Sequence, residues 1–451
     1  MSEIRNSSLY GKITILVIFY CLVMGSFVVN TAAALDGSGT QEDPWLIQSL
    51  EDFNDFAADA NYWDDYTRLE TDVNLAGLTY TTAVIAPDTD NSNNSYDGTF
   101  FTGSFDGNDK KIFNLTIQGG ANDYMGLFGN TSYEVRNLGL EGCDISGDDH
   151  VGGLVGSNSF GVIVNCYSTG SVSGDDCVGG LVGGNLLSCL IVSCHSSGSV
   201  IGDEYVGGLV GINNWGVWDC CSGSYVEGSI GVGGLVGENT GGVYNCSSTG
   251  DVNGFGDYIG GLVGINYGTV SYCYSTGDVS GNWWCIGGLV GFNNDTPFSP
   301  GGVITSCYST GAVNGFDYVG GLVGINGREG PLGQEPGYIH NSYSTGAVNG
   351  ILGVVGGLVG DHVSGEIEGA FWDIQTSGQL ESDGGTGKTT AEMQTMNTFT
   401  DADWDFINVW NIGENQTYPY IRTYLAGDIN KDRIVNFLDI AITSNQWMEE
   451  K

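Results

Sequence analysis

Between residues 124 and 360 the apolar residues fall in bursts of two to four, cut by Gly, Asn and Asp, and no run keeps the 3.6-residue spacing of a helix. One burst, Val151-Gly-Gly-Leu-Val-Gly156, returns at 178, 206, 232, 259, 286, 319 and 355, with Ile for the first Val at 259 and 286. The starts are separated by 27, 28, 26, 27, 27, 33 and 36 residues, and a looser copy begins at Tyr124. A second phrase follows each start, as in "NCYSTGSVSG" at 165, "NCSSTGDVNG" at 245 and "SCYSTGAVNG" at 306. Short alternations such as Gly161-Val-Ile-Val-Asn165 lie between them. A unit of about three short strands that recurs at this period predicts one coil of a parallel β-solenoid. The two longer periods predict loops thrown out of a coil, at Asp295-Thr-Pro-Phe298 and Arg328-Glu-Gly-Pro331.

Stacking turns equivalent positions into columns about 4.8 Å apart. Asn158, Asn185, Asn213, Asn239, Asn266, Asn293 and Asn326 form one, and their amides are expected to bond along the axis. Cys166, Cys194, Cys220, Cys246, Cys273 and Cys307 form another, with Ser342 in the last copy. Parallel Cβ atoms at strand spacing sit too far apart for a disulfide, so these are expected to be small buried thiols. Asp149, Asp176, Glu204, Asp257 and Asp317 form an acidic column, broken at Ile230 and Trp284. It reads as a solvated turn or as a cation site between coils. Tyr167, Tyr274, Tyr308 and Tyr343 follow the cysteine column and should point outward, offering either glycan contact or cover for the strand surface. A row of Thr169, Thr249, Thr276, Thr310 and Thr345 lies two residues further on.

The ends of a solenoid need closing. Ser49-Leu-Glu-Asp52 predicts a helix start, with Leu50, Phe53, Phe56 and Ala57 on one face. Trp372, Trp404 and Trp410 mark a closing segment. The chain thus divides into 1–34, 35–123 (N-terminal cap and first coils), 124–360 (repeat array), 361–425 (C-terminal cap) and 426–451.

Composition narrows the partners. A formal charge of -41 over 451 residues leaves no basic surface for nucleic acid or anionic membrane. Arg5 and Lys12, the apolar run 13–29 and Thr31-Ala-Ala-Ala34 read as an export signal, cleaved or retained as an anchor. The expected location is secreted or cell-surface.

Most candidate chemistry fails on its own requirements. "GGTGKTT" at 384 lacks the P-loop's first glycine, since Ser382 stands there, so no nucleotide site is expected. Residues 145–360 contain no lysine and only Arg328, which disfavours a lyase acting on uronates. No carboxylate pair stands out for glycoside hydrolysis. No catalytic residue is assigned. One metal site does stand out. Asp428, Asn430, Asp432, Asn436 and Asp439 place oxygen ligands at positions 1, 3, 5, 9 and 12 of a loop, with the Ile434 carbonyl at position 7. That is the ligand spacing of a Ca²⁺ loop, and Phe437, Leu438, Ala441, Ile442 and Trp447 after it predict an apolar helical face.

"VGGLVG" with "NCYSTGSVSG" resembles the GLUG-motif repeats of secreted bacterial proteins. The resemblance implies an all-β, right-handed parallel β-helix and implies no reaction. The segment 426–451 resembles one half of a type I dockerin, which implies Ca²⁺-dependent docking to a cohesin-like or cell-surface protein. It departs from that pattern at Arg433, where the turn favours Gly, and at Phe437 and Leu438, where many dockerins carry polar recognition residues. Together these predict a non-catalytic exported protein that presents an extended surface for adhesion or polysaccharide binding. The alternative is an enzyme or substrate-binding subunit of an extracellular polysaccharide-degrading system.

Overall fold

The computed structural model describes residues 35–90, 92–93, 95–295, 302–330 and 333–422, with no side-chain description at 329–335. The export signal and the Ca²⁺ loop with its helix lie outside these residues. From Gly37 onward the described residues fall in one contact unit.

Each coil of the array is written by the same local chemistry. The first Val-Gly pair forms a two- to four-residue strand (Val151–Gly152, Asp176–Gly179, Glu204–Gly207), and these stack into an eight-stranded parallel sheet. Gly-Leu makes the corner. The following Val-Gly-x-Asn forms the next strand (Val155–Asn158, Val182–Asn185, Val210–Asn213), in a nine-stranded sheet that ends on Val359–His362. A third, long sheet takes the rest of every coil, including Val162–Val164 and Tyr167–Ser173, and extends back to Trp45–Ile47. The pairings between coils are parallel and in register, as in Val182↔Val210 and Asn185↔Asn213, apart from register shifts between Asp106 and Lys110 and between Ser168 and Gly170.

Alternation decides which side chains enter the core. Leu154, Leu181, Leu209, Leu235, Leu262 and Leu289 are fully buried, as are the valines on either side. Each such Leu or Val contributes about 1.5–3 kcal/mol of burial. The glycines serve the opposite faces, where the two strands of VGGLVG meet. A Cβ on Gly179 would lie 2.8 Å from Leu209 O and Gly211 N of the next coil, closer than side-chain carbons come.

Two corners of each coil use left-handed backbone. One precedes the cysteine column at Asn165, Ser193, Asp219, Asn245, Tyr272 and Ser306, of which the Asn and Asp residues tolerate positive φ. The other precedes VGGLVG and carries His150 (φ 57°), Cys177 (59°), Tyr205 (56°), Tyr258 (65°) and Cys285 (64°), where such backbone is costly. The second insertion leaves the coil where expected, while residues 296–301 of the first lie outside the described residues. The second begins with an antiparallel hairpin of Arg328–Gly330 against Gly333–Glu335, and the coil resumes at Gly337–His340.

The asparagine and cysteine columns form as expected. Asn158 Nδ2 donates to Asn185 Oδ1 at 3.0 Å, and the chain of amides continues to Asn326 in steps of 2.7–2.8 Å. All seven are fully buried. The last amide meets His362 Nδ1 at 3.1 Å. The column cysteines are buried free thiols. From Cys194 to Cys307 each Sγ receives the N–H of the preceding coil's cysteine, as in Cys166 N to Cys194 Sγ at 3.4 Å, and every column Sγ lies within 3.3 Å of a backbone carbonyl. Burial pushes the thiols of Cys166, Cys220, Cys246 and Cys273 well up, so they pack as small apolar groups. Cys221 is the exposed cysteine among the described residues.

Both ends are plugged by aromatic side chains. The helix Leu50–Ala58 starts at Ser49, whose hydroxyl accepts from Asp52 N. It buries Phe53 and Phe56, and Phe56 packs on Phe101 and Phe105. Leu50 is not on that buried face; it is 40% exposed. At the other end, Trp404 and Trp410 pack 4.5 Å apart beside Phe371, Phe399 and Met393. The "GTGKTT" stretch belongs to this plug. Thr386–Lys388 is a strand paired with Phe371–Asp373, and Thr389 caps the helix Thr390–Met393 with Glu392 completing a capping box.

Candidate functional site

The tyrosine row is only partly available. Register places Tyr167, His195, Cys221, Ser247, Tyr274, Tyr308, Tyr343 and Phe371 in one column. Tyr274, Tyr308 and Tyr343 stack with centroids 4.9 and 5.2 Å apart, and Tyr167 stacks on His195 at 4.8 Å. The expected glycan contact fails at Tyr343. That ring is 1% exposed under Trp404, Trp410 and Tyr418, and its hydroxyl donates to Pro419 O. Trp410 also packs on Tyr308. Tyr167 is tied at its hydroxyl to Glu141, which pairs with Lys111. The row is two short stacks, separated by Cys221 and Ser247, one of them held under the cap.

The acidic column divides the same way. Asp257 Oδ1 accepts from Trp284 N, and Asp317 Oδ1 accepts from Tyr318 N and Val354 N, so both carboxylates hold turns. Among the described residues no group of His, Cys, Asp and Glu converges on a possible metal position. The first three members repel one another. Burial, then Asp149, Glu204, Asp175 and Asp203, push the Asp176 carboxyl from 3.8 up to about 6. A carboxyl raised in the folded state favours folding while it is protonated, and that contribution is lost as pH rises from about 4 through about 6. Asp176→Asn should therefore stabilise the protein by about 1 kcal/mol at pH 7, after solvent screening, and by almost nothing at pH 4. Urea titrations at the two pH values measure the difference; equal shifts would contradict it.

Two surface features were not singled out from sequence. Tyr133, Phe160, Leu187 and Trp215 each lie two residues after the asparagine-column position in four successive coils, and all are between 46% and 59% exposed. Their coils are joined there by backbone bonds such as Val162 N to Tyr133 O and Gly242 N to Trp215 O. At a different corner, Phe255, Trp283, Trp284, Ile351, Leu352 and Val354 form a second exposed apolar group. It follows the same path as the acidic column but in the later coils, where Trp284 pairs with Asp317. Aligning the repeats on Asn would have revealed the first stripe. The second needs knowledge of which corner faces outward.

The family pattern described as "The GLUG motif" matches residues 147–173, 228–253, 256–280 and 284–314, in step with the stacked coils. The chain carries GLUG repeats. A GLUG coil here is therefore the unit strand–corner–strand just described, with asparagine and cysteine stacked inside. Two curated proteins share part of it. A protein provisionally described as a Gly-rich membrane protein, from Evansella cellulosilytica, is 33% identical over 138 residues, 28% of this chain and 16% of its own length. Halomucin of Haloquadratum walsbyi is 32% identical over 149 residues, 31% of this chain and 2% of its own. The matched stretches are thus a small part of both relatives. A crystal structure from Bacteroides ovatus, provisionally described as an immunoglobulin A1 protease, superposes with a TM-score of 0.40 at 18% identity, covering 86% of this chain and 94% of that one. Among the described residues no helix is long and apolar enough to cross a membrane.

Proposed function

We propose that the protein is an exported, non-catalytic GLUG solenoid that presents apolar and aromatic surface for adhesion to neutral polysaccharide, and that residues 426–451 attach it to a partner in a Ca²⁺-dependent manner. The observation that carries the reading is the stripe Tyr133, Phe160, Leu187 and Trp215, large apolar side chains left in water on consecutive coils. Soluble proteins rarely leave such a run uncovered without a use for it. Coils repeat at about 4.8 Å, close to the length of one sugar unit in an extended glycan, and aromatic faces bind the apolar faces of sugars. The charge of -41 weighs against acidic polymers.

Retention of the full chain on insoluble neutral polysaccharides, with assay of released reducing ends, tests this. The reading expects retention without release, and at least a tenfold loss of retention in Trp215→Ala with Phe160→Ala. Release of reducing ends, or retention unchanged in that variant, would overturn it.

A further inference from the structure

The corner that precedes VGGLVG changes character along the array. Backbone bonds join it from coil to coil: Asp175 N to Asp148 O, Asp203 N to Asp175 O, Ser229 N to Asp203 O and Phe255 N to Gly228 O. The line continues through Asn282 N to Gly254 O, Asp317 N to Trp283 O and Leu352 N to Phe316 O. Eight coils thus form one ridge, seven steps of about 4.8 Å and so about 34 Å long. Its first three coils carry adjacent carboxylates, Asp148 with Asp149, Asp175 with Asp176 and Asp203 with Glu204. Its last four carry Phe255, Trp283 with Trp284, Phe316, and Ile351 with Leu352. All of these but the half-buried Phe316 are between 46% and 75% exposed. The coil between the two blocks makes the same corner with Ser229 and Ile230.

Both blocks oppose folding where they stand. Asp176 pairs directly with Glu204, and like charges opposite one another on neighbouring strands repel. Nothing nearby relieves this, because residues 145–360 hold no lysine and only Arg328. Among the described residues Asp175, Asp176, Asp203 and Glu204 have no ion pair, whereas the carboxylates at the start of the solenoid do, as in Asp106 with Arg136 and Glu141 with Lys111. Within the apolar block Asp257 and Asp317 are tied to backbone N–H groups. Large apolar side chains left in water on four adjoining coils mark a surface that another molecule covers. Ser229 and Ile230 show that the corner itself requires neither block.

We propose that this ridge docks a polypeptide segment in which a basic block adjoins an apolar one, with its cationic side chains over Asp175 to Glu204 and its apolar side chains over Phe255 to Leu352. Charge complementarity selects the occupant. A second copy of this chain, with its formal charge of -41, brings carboxylates toward carboxylates, and a neutral glycan leaves the acidic block without a counter-charge. An extended segment at about 3.3 Å per residue covers the ridge with about ten residues. The ridge runs along a different corner from the stripe Tyr133 to Trp215 and does not depend on that stripe's binding glycan.

The test is calorimetric titration of the full chain with a synthetic peptide of about ten residues, a lysine block joined by serines to a leucine block. The same peptide with its blocks reversed, and one of equal composition with lysine and leucine interleaved, complete the set. In one block order or the other, binding should be at least about fivefold tighter than for the interleaved peptide. Trp283→Ala with Trp284→Ala should weaken that binding at least about fivefold, and so should Asp175→Asn with Asp203→Asn. The second variant should also lose most of the salt dependence. All four residues are exposed, so both variants should keep the melting temperature of the parent. No binding of either block peptide, equal binding of the interleaved one, or unchanged affinity in either variant overturns the proposal. Self-association of the chain that disappears with Trp283→Ala and Trp284→Ala would give the ridge to a second copy and overturn it as well. Peptide binding should persist in Trp215→Ala with Phe160→Ala; its loss there would place the peptide on the stripe, against the proposal.

Discussion

Replacing Asn239 by leucine should lower the stability of the full chain by about 3 kcal/mol, one of the largest effects expected of any single side chain here. Asn239 is fully buried, accepts from Asn213 Nδ2 at 2.8 Å and donates to Asn266 Oδ1 at 2.8 Å and to Gly241 O at 3.2 Å. Leucine fills a similar volume but leaves a donor of Asn213 and an acceptor of Asn266 without partners inside the protein. Each stranded group costs about 1–3 kcal/mol, and the apolar gain offsets only part of that. Thr276→Ala, on the exposed face of the neighbouring coil, should change stability by less than about 0.5 kcal/mol. Urea midpoints for the three proteins measure the contrast. Equal midpoints for Asn239→Leu and Thr276→Ala would mean the amides contribute nothing as a column.

Gly207→Ala should be as damaging for a different reason. Its φ is ordinary, so alanine's backbone preferences are not at issue. Its added Cβ, however, would come within 2.7 Å of Val210 C in the same coil and 2.8 Å of Gly237 N in the next, and these backbones cannot withdraw without opening the VGGLVG corner or separating the coils. Overpacking of this kind costs about 1–3 kcal/mol and more when the obstacle is main chain. Gly223→Ala is the control, because its Cβ would meet only Thr249 Oγ1 at 3.6 Å. The stability difference between the two variants is expected to exceed about 2 kcal/mol. A tolerated Gly207→Ala would show that the two strands of VGGLVG do not lie face to face.

These two predictions also show what the sequence could yield. The columns were legible because an in-register parallel stack maps equal sequence offsets onto equal positions, so Asn158 to Asn326 had to line up once the coils did. The first corner was legible only in part, since Asn165, Asp219 and Asn245 accept left-handed backbone but Tyr272, Ser193 and Ser306 at the same corner give no such sign. The second corner was hidden because Tyr205, Tyr258 and Cys285 give no local sign of positive φ; the coil path imposes it. The fate of the tyrosine row was hidden for a longer-range reason. Tyr343 continues the stack of Tyr274 and Tyr308 in every local respect, and only the return of Trp404, Trp410 and Tyr418 over the last coil removes it from solvent. The exposed stripe was missed because an apolar residue in a coil of strands reads as core until its facing is known. The Ca²⁺ loop expected at Asp428, Asn430, Asp432, Ile434, Asn436 and Asp439 rests on its sequence spacing and lies outside the described residues.

The account stands on coils stacked in register, and one distance tests that directly. In a Cys221→Ser background, which removes the exposed thiol among the described residues, spin labels on Ser197 and Thr310 would sit four coil steps apart on the same face. At about 4.8 Å per step the labels should give a narrow distribution centred near 19 Å, broadened by label rotamers. A broad distribution, or a centre beyond about 30 Å, would contradict the stacked register on which the buried columns and the surface stripe both depend.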